Sequence, residues 1–557
     1  MNKKYVLGSL LIFTLAVTGC QTGGNSTPSN NPSSNGNSES SIIQPSKDPD
    51  EITGGTFNFN DDELNTAQEI HTANQLKYLN LSKPYYEMTS SDLNACDAYG
   101  NKNVSTPEKT TLNWEFTAPD GFEVKNYTLV FSQNADLSDP YVVEGTKETS
   151  ISFYNSFLGT NYFKIVANFT TGGKQSSDVK TFKVTEQAPR NLYVGNMPNF
   201  RDMGGRTTYA GGKVKQGLIY RGAGNNFDQR GTAPNADAQD IMLNQLRLKT
   251  EINVSNNTGN NINLSGNKVV DAFMAFGAVP YSNLARNSVR IRQVMDILAD
   301  ESNYPVFYHC RIGTDRTGIT GFMINGLLGV PFNECVQDYG FSNFAPIDNQ
   351  RYPHKTDDKN GDDIAKYLDE LLALPGETFQ EQVYLALRMI GVPAAKLDKI
   401  IDIMTYGTKA TIPATAKIGE GDGLTSDATK STSSDYKAPA TYYAMSSGKK
   451  VSFKATTTAG KKDIIVYMGY TGNVSNNNNQ AKLSASITLK IDGVEQTISS
   501  TKNLWTAGFG ATQQDTRIGY MFNILGNYDF TAAEHTVEIS SKNGTFNVGS
   551  ITIADRA

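Results

Sequence analysis

At 557 residues the chain is too long for one hydrophobic core, and three or four domains are expected. The formal net charge is −6, only 19% of residues are charged and no basic run stands out, which argues against nucleic acid as a partner. An anionic substrate would have to be drawn in by local groups, because the overall field does not help.

Lys3 and Lys4 precede a mostly apolar run, Val6 to Val17, which is too short to span a membrane comfortably. The run ends in Val17-Thr18-Gly19-Cys20, which resembles a bacterial lipobox. That resemblance implies a signal peptide over 1–20, a lipid on the Cys20 sulfur, and a membrane-anchored location outside the cytoplasm. Residues 21–60, rich in Gly, Ser, Asn and Pro at their start, are expected to be a flexible tether. Three cysteines remain, Cys96, Cys310 and Cys335, and an odd number excludes complete internal pairing. Cys335 falls in an expected helix and reads as a small buried hydrophobe. The pairing of Cys96 is left open.

Residues 61–187 form an N-terminal region whose first part, to about 85, shows some helical spacing. From about 100 the pattern is that of short strands. Thr111–Phe116 and Tyr127–Phe131 alternate with period two around the turn signal Pro119-Asp120-Gly121. Tyr141–Val143, Ser150–Phe153, Tyr162–Val166 and Val179–Val184 follow, and regular short strands argue for a β-sandwich. Trp114 and the segment Leu158–Tyr162 resemble the core tryptophan and tyrosine corner of fibronectin type III domains. The likeness implies that the Tyr162 hydroxyl bonds back to the backbone.

Over 188–408 short apolar strands alternate with helical patterns, which implies an α/β domain. Ile291, Val294, Met295 and Leu298 lie on one helical face. Residues 409–557 return to β character, with strands expected at Ile464–Met468, Ile487–Ile491, Thr536–Ile539 and Ser550–Ile553 and a hairpin at Asp492-Gly493. This region reads as a second sandwich with a jelly-roll cast and faintly resembles carbohydrate-binding modules. Tyr467, Tyr470, Trp505, Phe509 and Tyr520 are the aromatic candidates for stacking on a glycan.

The chemistry concentrates in His309-Cys310-Arg311-Ile312-Gly313-Thr314-Asp315-Arg316-Thr317-Gly318. Tyr304–Tyr308 reads as a buried strand running into this loop, and Gly318–Leu328, apolar almost all round, as a buried helix leaving it. Such a loop can turn the backbone N–H groups of residues 311 to 316 inward beside a helix N-terminus, which makes a cradle for a dianionic phosphate. The same field favours a Cys310 thiolate. Lowering a thiol by three units needs about 4 kcal/mol, whereas a helix terminus supplies about 0.3–1 and at most about 2. The loop amides, Arg316 and the Thr317 hydroxyl must therefore contribute. Arg316 offers a planar fork for two phosphoryl oxygens. The expected chemistry is attack by Cys310 on phosphorus, then hydrolysis of the phosphocysteine by water. Asp315 is the candidate acid for the leaving oxygen and then base for the water, with a structural carboxylate as the competing reading. His309 is expected to sit under the loop as a support. No metal or cofactor is expected.

Beyond the loop, Asn199–Gly205, Gly212-Lys213-Val214, Gly217–Gly222, Asp338-Tyr339 and Ser342-Asn343 resemble the bacterial tyrosine-phosphatase-like family of secreted protein and phosphoinositide phosphatases. The resemblance implies a sheet wrapped by helices with the loop at its base, Cys310 as nucleophile, Arg316 as phosphate binder and Asp315 as acid. Asp202 is expected as a brace and Arg221 as a pocket-lining support. Phosphoinositide-hydrolysing members often carry lysine where this chain has Thr314, and the common Asp-Leu-Arg strand end is here Asn253-Val254-Ser255.

The leading reading is a surface-anchored phosphatase acting on protein phosphotyrosine, with dual specificity open. The alternative substrate is a phosphoinositide or inositol phosphate. A different class is a surface protein binding glycan or protein, with secondary phosphatase activity. Activity is expected to reside in 188–408 without the flanking regions.

Overall fold

The apolar strand Val306–Cys310, buried at every position, sets the centre of the molecule. A strand buried on both faces belongs inside a parallel sheet with helices on its surfaces. In a computed structural model, which describes residues 50–556 apart from 99–105, 275–283, 348–349, 354–361, 413–415, 433–440, 471–482 and 500–519, this is its position. The six strands lie in the order Arg190–Asn191, Arg201–Asp202, Ile219–Ala223, Val306–Cys310, Thr250–Asn253, Lys268–Asp271. The last four run parallel and the first two pair antiparallel at one edge.

Asp315–Leu327 forms the helix after the loop and is buried from Arg316 to its end. It stops where Gly329 takes φ +84°, a left-handed conformation that suits glycine. Ile291, Val294, Met295 and Leu298 turn one buried face of the helix Leu284–Leu298 inward, as their spacing predicts. Cys335 is buried in the helix Phe332–Phe341, and Cys96, Cys310 and Cys335 are all unpaired thiols.

In the N-terminal β region, Val124–Ser132 pairs with Tyr141–Glu144 and with Gly159–Phe169, and Thr110–Asn113 pairs with Ser150–Phe153. Trp114 is buried as expected. The corner differs from expectation. The side chain of Asn161, not Tyr162, closes it, accepting from Phe157 N at 2.9 Å and donating to Phe157 O at 2.8 Å. A short amide one residue earlier does the job of the longer phenol. The end of the segment expected as tether is instead paired with the first β region. Thr56–Asn58 pairs with Glu115–Thr117, and Ile52 N donates to Lys174 O at 2.7 Å. Composition hid this because a three-residue edge strand leaves little hydrophobic signature. The lipobox, Cys20 and residues 21–49 lie outside the described residues.

The C-terminal region has a six-stranded and a five-stranded sheet that share one apolar core. Asp492 and Gly493 make the two-residue hairpin at φ +51° and +81°, with Ile491 opposite Val494. Tyr467 is not available to a glycan. It is 1% exposed, and its ring packs 5.3 Å from Phe522 in the interior. Trp505, Phe509 and the side chains of Tyr470 and Tyr520 lie outside the described residues.

The α/β region does not keep its core to itself. Tyr78, Leu79, Met88 and Leu93 from before the first β region, and Ile465, Tyr467 and Phe522 from the C-terminal one, join the cluster around Ile319 and Phe322. On the other side Phe157, Leu158 and Phe163 join Phe200, Tyr220, Phe307 and Met242. Polar contacts cross the same seams: Tyr78 OH donates to Gln337 O at 2.8 Å and Ser550 Oγ to Met389 O at 3.0 Å.

Burying one large apolar side chain is worth about 1.5–3 kcal/mol, and whole domains are stable by only about 5–15 kcal/mol. Losing both seams removes enough to unfold the remainder. A fragment 188–408 is therefore expected to show no cooperative melting transition by circular dichroism, whereas 50–557 shows one. A cooperative, active fragment would mean that the shared cores are dispensable.

Candidate active site

The Cys310 loop joins the end of the central strand to the start of the Asp315 helix, so backbone geometry alone fixes both its ends. A loop that turns its amides inward must turn its carbonyls outward, and buried carbonyls need donors. Each carbonyl here has one. Gly224 N donates to Cys310 O at 3.0 Å and to Arg311 O at 3.1 Å. Asn199 Nδ2 donates to Ile312 O and Gly313 O, both at 3.0 Å. Arg221 Nη2 donates to Gly313 O at 3.0 Å, and Gly318 N to Thr314 O at 2.6 Å. Gly313 has φ +72°, and a Cβ there would lie 2.2 Å from Gly222 O, so only glycine fits.

Burial alone would raise the Cys310 thiol. The Arg316 charge, the Thr317 hydroxyl and the Thr317 backbone N–H outweigh it and hold the thiol below its ordinary value. Thr317 Oγ1 is buried with no hydrogen-bond partner among the described residues, which leaves its hydroxyl free to turn to the sulfur. His309 lies beneath, fully buried. Its Nδ1 is 3.0 Å from Cys310 O and its Nε2 is 2.8 Å from Glu251 Oε1. Burial would raise the Glu251 carboxyl, but His309 and the N–H groups of Ile262 and Asn263 hold it low.

Cys310, Arg311, Ile312, Asp315 and Arg316 line one cavity of about 530 Å³. Its other walls are Asn226, Gln229, Asn256, Asn257, Asn260 and Arg351. Arg316 Nη1 donates to Asn256 Oδ1 at 3.0 Å, which aims the guanidinium across the cavity. Asp315 accepts from Arg351 Nε at 2.8 Å, from its Nη2 at 3.3 Å, and from the Tyr339 hydroxyl at 3.3 Å.

Arg221 is not in the cavity wall. It sits behind the loop, 1% exposed, paired with Asp338. Asp338 also accepts from Arg201 Nε at 2.8 Å, and Arg206 Nη2 lies 3.8 Å away. Burial opposes the Asp338 charge, but the three guanidiniums hold the carboxyl far below the usual range. Asp202 accepts from Arg190 at 2.9 Å and from the N–H groups of Gly204 and Gly217. It braces the turn between two sheet strands, outside the cavity lining.

Residues 192–407 match the pattern of the tyrosine phosphatase family. The chain carries a tyrosine-phosphatase-like hydrolase. No curated protein sequence matches it. Among solved structures, the core catalytic domain of the PP-IP phosphatase SIW14 from S. cerevisiae is similar at 19% identity and TM-score 0.20, over 28% of this chain and 82% of that one. TpbA of P. aeruginosa, in complex with phosphotyrosine, is similar at 16% identity and TM-score 0.22, over 32% of this chain and 91% of that one. A family 35 carbohydrate-binding module from Clostridium thermocellum is similar at 13% identity and TM-score 0.19, over 26% of this chain and 100% of that one. Of an α-1,3-glucanase catalytic unit from Streptomyces thermodiastaticus, the chain covers 26%.

Sequence reasoning names the phosphatase loop but misses Asn199, Glu251, Asn256 and Arg351. Asn199 had a signal, since it opens the Asn-Phe-Arg-Asp run. Its φ of +63° is uncommon for anything but Asn, Asp or Gly. Arg201 Nη1 fixes the amide by donating to Asn199 Oδ1 at 2.7 Å. Glu251 and Arg351 are separated from their partners by 58 and 36 residues, and no local pattern marks them.

Removing the Asn199 amide takes the amide donor from Ile312 O and leaves Gly313 O to Arg221, at a cost of about 1–3 kcal/mol. Asn199→Ala is therefore expected to lower kcat/KM about tenfold or more. It should also raise the Cys310 thiol, so the rising limb of the pH–rate profile, where thiolate forms, moves to higher pH. Thiolate absorbance against pH checks this. An unmoved limb would remove Asn199 from the support of the loop.

Proposed function

We propose that the chain removes phosphate from monoesters through a phosphocysteine on Cys310, and that it does so anchored at the cell surface. The observation that carries the chemistry is a buried thiol, lowered by Arg316 and Thr317, at the floor of a cavity flanked by Arg311 and Arg316. Arg316 holds two phosphoryl oxygens while the loop amides hold the third. Cys310 attacks in line, the P–O bond breaks, and the leaving oxygen takes a proton from Asp315. Water then attacks the phosphocysteine with Asp315 as base.

Protein phosphotyrosine is the leading substrate in this reading. The cavity lining favours the alternative, a phosphoinositide or inositol phosphate. Among the described residues it presents three arginines, four asparagines and a glutamine, with Ile312 as the one large apolar side chain. Such walls suit a polyhydroxylated, multiply charged group better than a phenyl ring. The β regions at about 100–187 and 409–557 are read as sandwiches that place the enzyme, the second one on a glycan; a glycan array with the whole chain tests that. Lipid on Cys20 supplies the anchor, and fatty-acid labelling that persists in Cys20→Ser would refute it.

Cys310→Ser is expected to abolish turnover while phosphate binding survives, because an alcohol is not ionised at neutral pH and the cradle is unchanged. Asp315→Asn is expected to slow alkyl phosphates far more than aryl phosphates with good leaving groups. Equal loss on both would give Asp315 a structural role.

A further inference from the structure

Asp315 is asked to give a proton to the leaving oxygen, yet its carboxylate is clasped side-on by Arg351. Both of its oxygens are engaged, Oδ1 by Arg351 Nε and the Tyr339 hydroxyl and Oδ2 by Arg351 Nη2, so neither is turned to a leaving group. The clasp is not sealed from solvent: each side chain keeps 16% exposure and both line the same cavity as Cys310. Arg351 is thus within the reach of whatever occupies the space beyond the scissile phosphate.

We propose that Arg351 is a specificity-determining residue that recognises a second phosphate on the substrate, and that in doing so it releases Asp315 to act as the acid. This rests on the phosphocysteine reading above. The substrate class is a phosphate monoester with a further phosphate on a neighbouring carbon of a compact polyol. When that phosphate enters, its two negative charges compete with the Asp315 carboxylate for the guanidinium, and the bidentate fork suits phosphate as well as carboxylate. Asp315, now facing the Tyr339 hydroxyl and the Cys310 thiolate, takes up the proton that the scissile phosphate brings in as a monoanion, leaving that phosphate a dianion. The Cys310 S–P bond then forms as the ester P–O bond breaks. The Asp315 proton goes to the leaving oxygen, leaving an alcohol, a phosphocysteine and a carboxylate. A substrate with one phosphate leaves the clasp closed and is cleaved more slowly.

The test compares cyclohexane-1,2-diol bisphosphate with its monophosphate, using the whole chain, Arg351→Gln and Arg351→Lys. Hydrolysis of p-nitrophenyl phosphate by the unaltered chain reports the basal chemistry, and its absence would sink the phosphocysteine reading itself. With that activity present, the bisphosphate is expected to be preferred about tenfold or more in kcat/KM. Arg351→Gln should bring the ratio toward one, and Arg351→Lys should restore part of it. A merely structural arginine would leave the ratio where it was. The same headgroup on a lipid in a neutral vesicle forms the last arm. Preference in both forms assigns recognition to the headgroup. Preference in the vesicle alone, no preference in the unaltered chain, or full preference in Arg351→Gln overturns the proposal.

Discussion

A phosphate cradle made of backbone amides has a hidden cost: every inward amide puts a carbonyl on the outside of the loop, inside the protein. The structure depends on satisfying those carbonyls. Asn199 and Arg221 do this for the middle of the loop, and both are held by the charges around Asp338. A buried carboxylate facing three guanidiniums is stable only as a complete set, since removing one partner strands charge at about 3–5 kcal/mol. The short strand Arg201–Asp202, the strand Ile219–Ala223 and the helix Phe332–Phe341 are thereby tied to the geometry of the loop. Chemistry at Cys310 is underwritten by residues that never reach the cavity.

The same dependence extends outward. The helix bearing Asp338 is packed by Tyr78 and Tyr85, with Gln337 Nε2 donating to Tyr85 OH at 2.9 Å. The opposite face of the central sheet is covered by the first β region through Phe157 and Leu158. Residues 50–557 form one compact unit rather than beads on a string. A perturbation of either seam reaches the loop through packed side chains, so the flanking regions contribute to the rigidity of the site as well as to its placement.

How much of this the sequence carries follows from the range of each interaction. Cys310 to Gly318 is legible because the cradle needs a strand, a loop and a helix in immediate succession. The Asp492-Gly493 hairpin and the buried face of Leu284–Leu298 are legible for the same reason: local backbone geometry dictates residue type. The Asp315–Arg351 clasp, the His309–Glu251 contact and the arginines around Asp338 are not, because each pairs residues from distant segments whose local patterns are ordinary. Shared cores are equally silent in sequence. A Tyr467 or Phe157 buried between regions leaves the same period-two signal as one buried within a region, which is why Tyr467 reads as a surface candidate. Asn161 shows the subtler failure, where the expected bond forms but a neighbouring side chain makes it.

The central claim is that the phosphoryl group passes through the Cys310 sulfur. Mixing the chain with a phosphate monoester, quenching in acid during turnover and mapping the phosphoryl group by mass spectrometry of the digest tests it directly. The account predicts a phosphorylated peptide containing Cys310, formed and lost at rates compatible with turnover. A phosphoryl group recovered on any other side chain, with Cys310 unmodified, would contradict it.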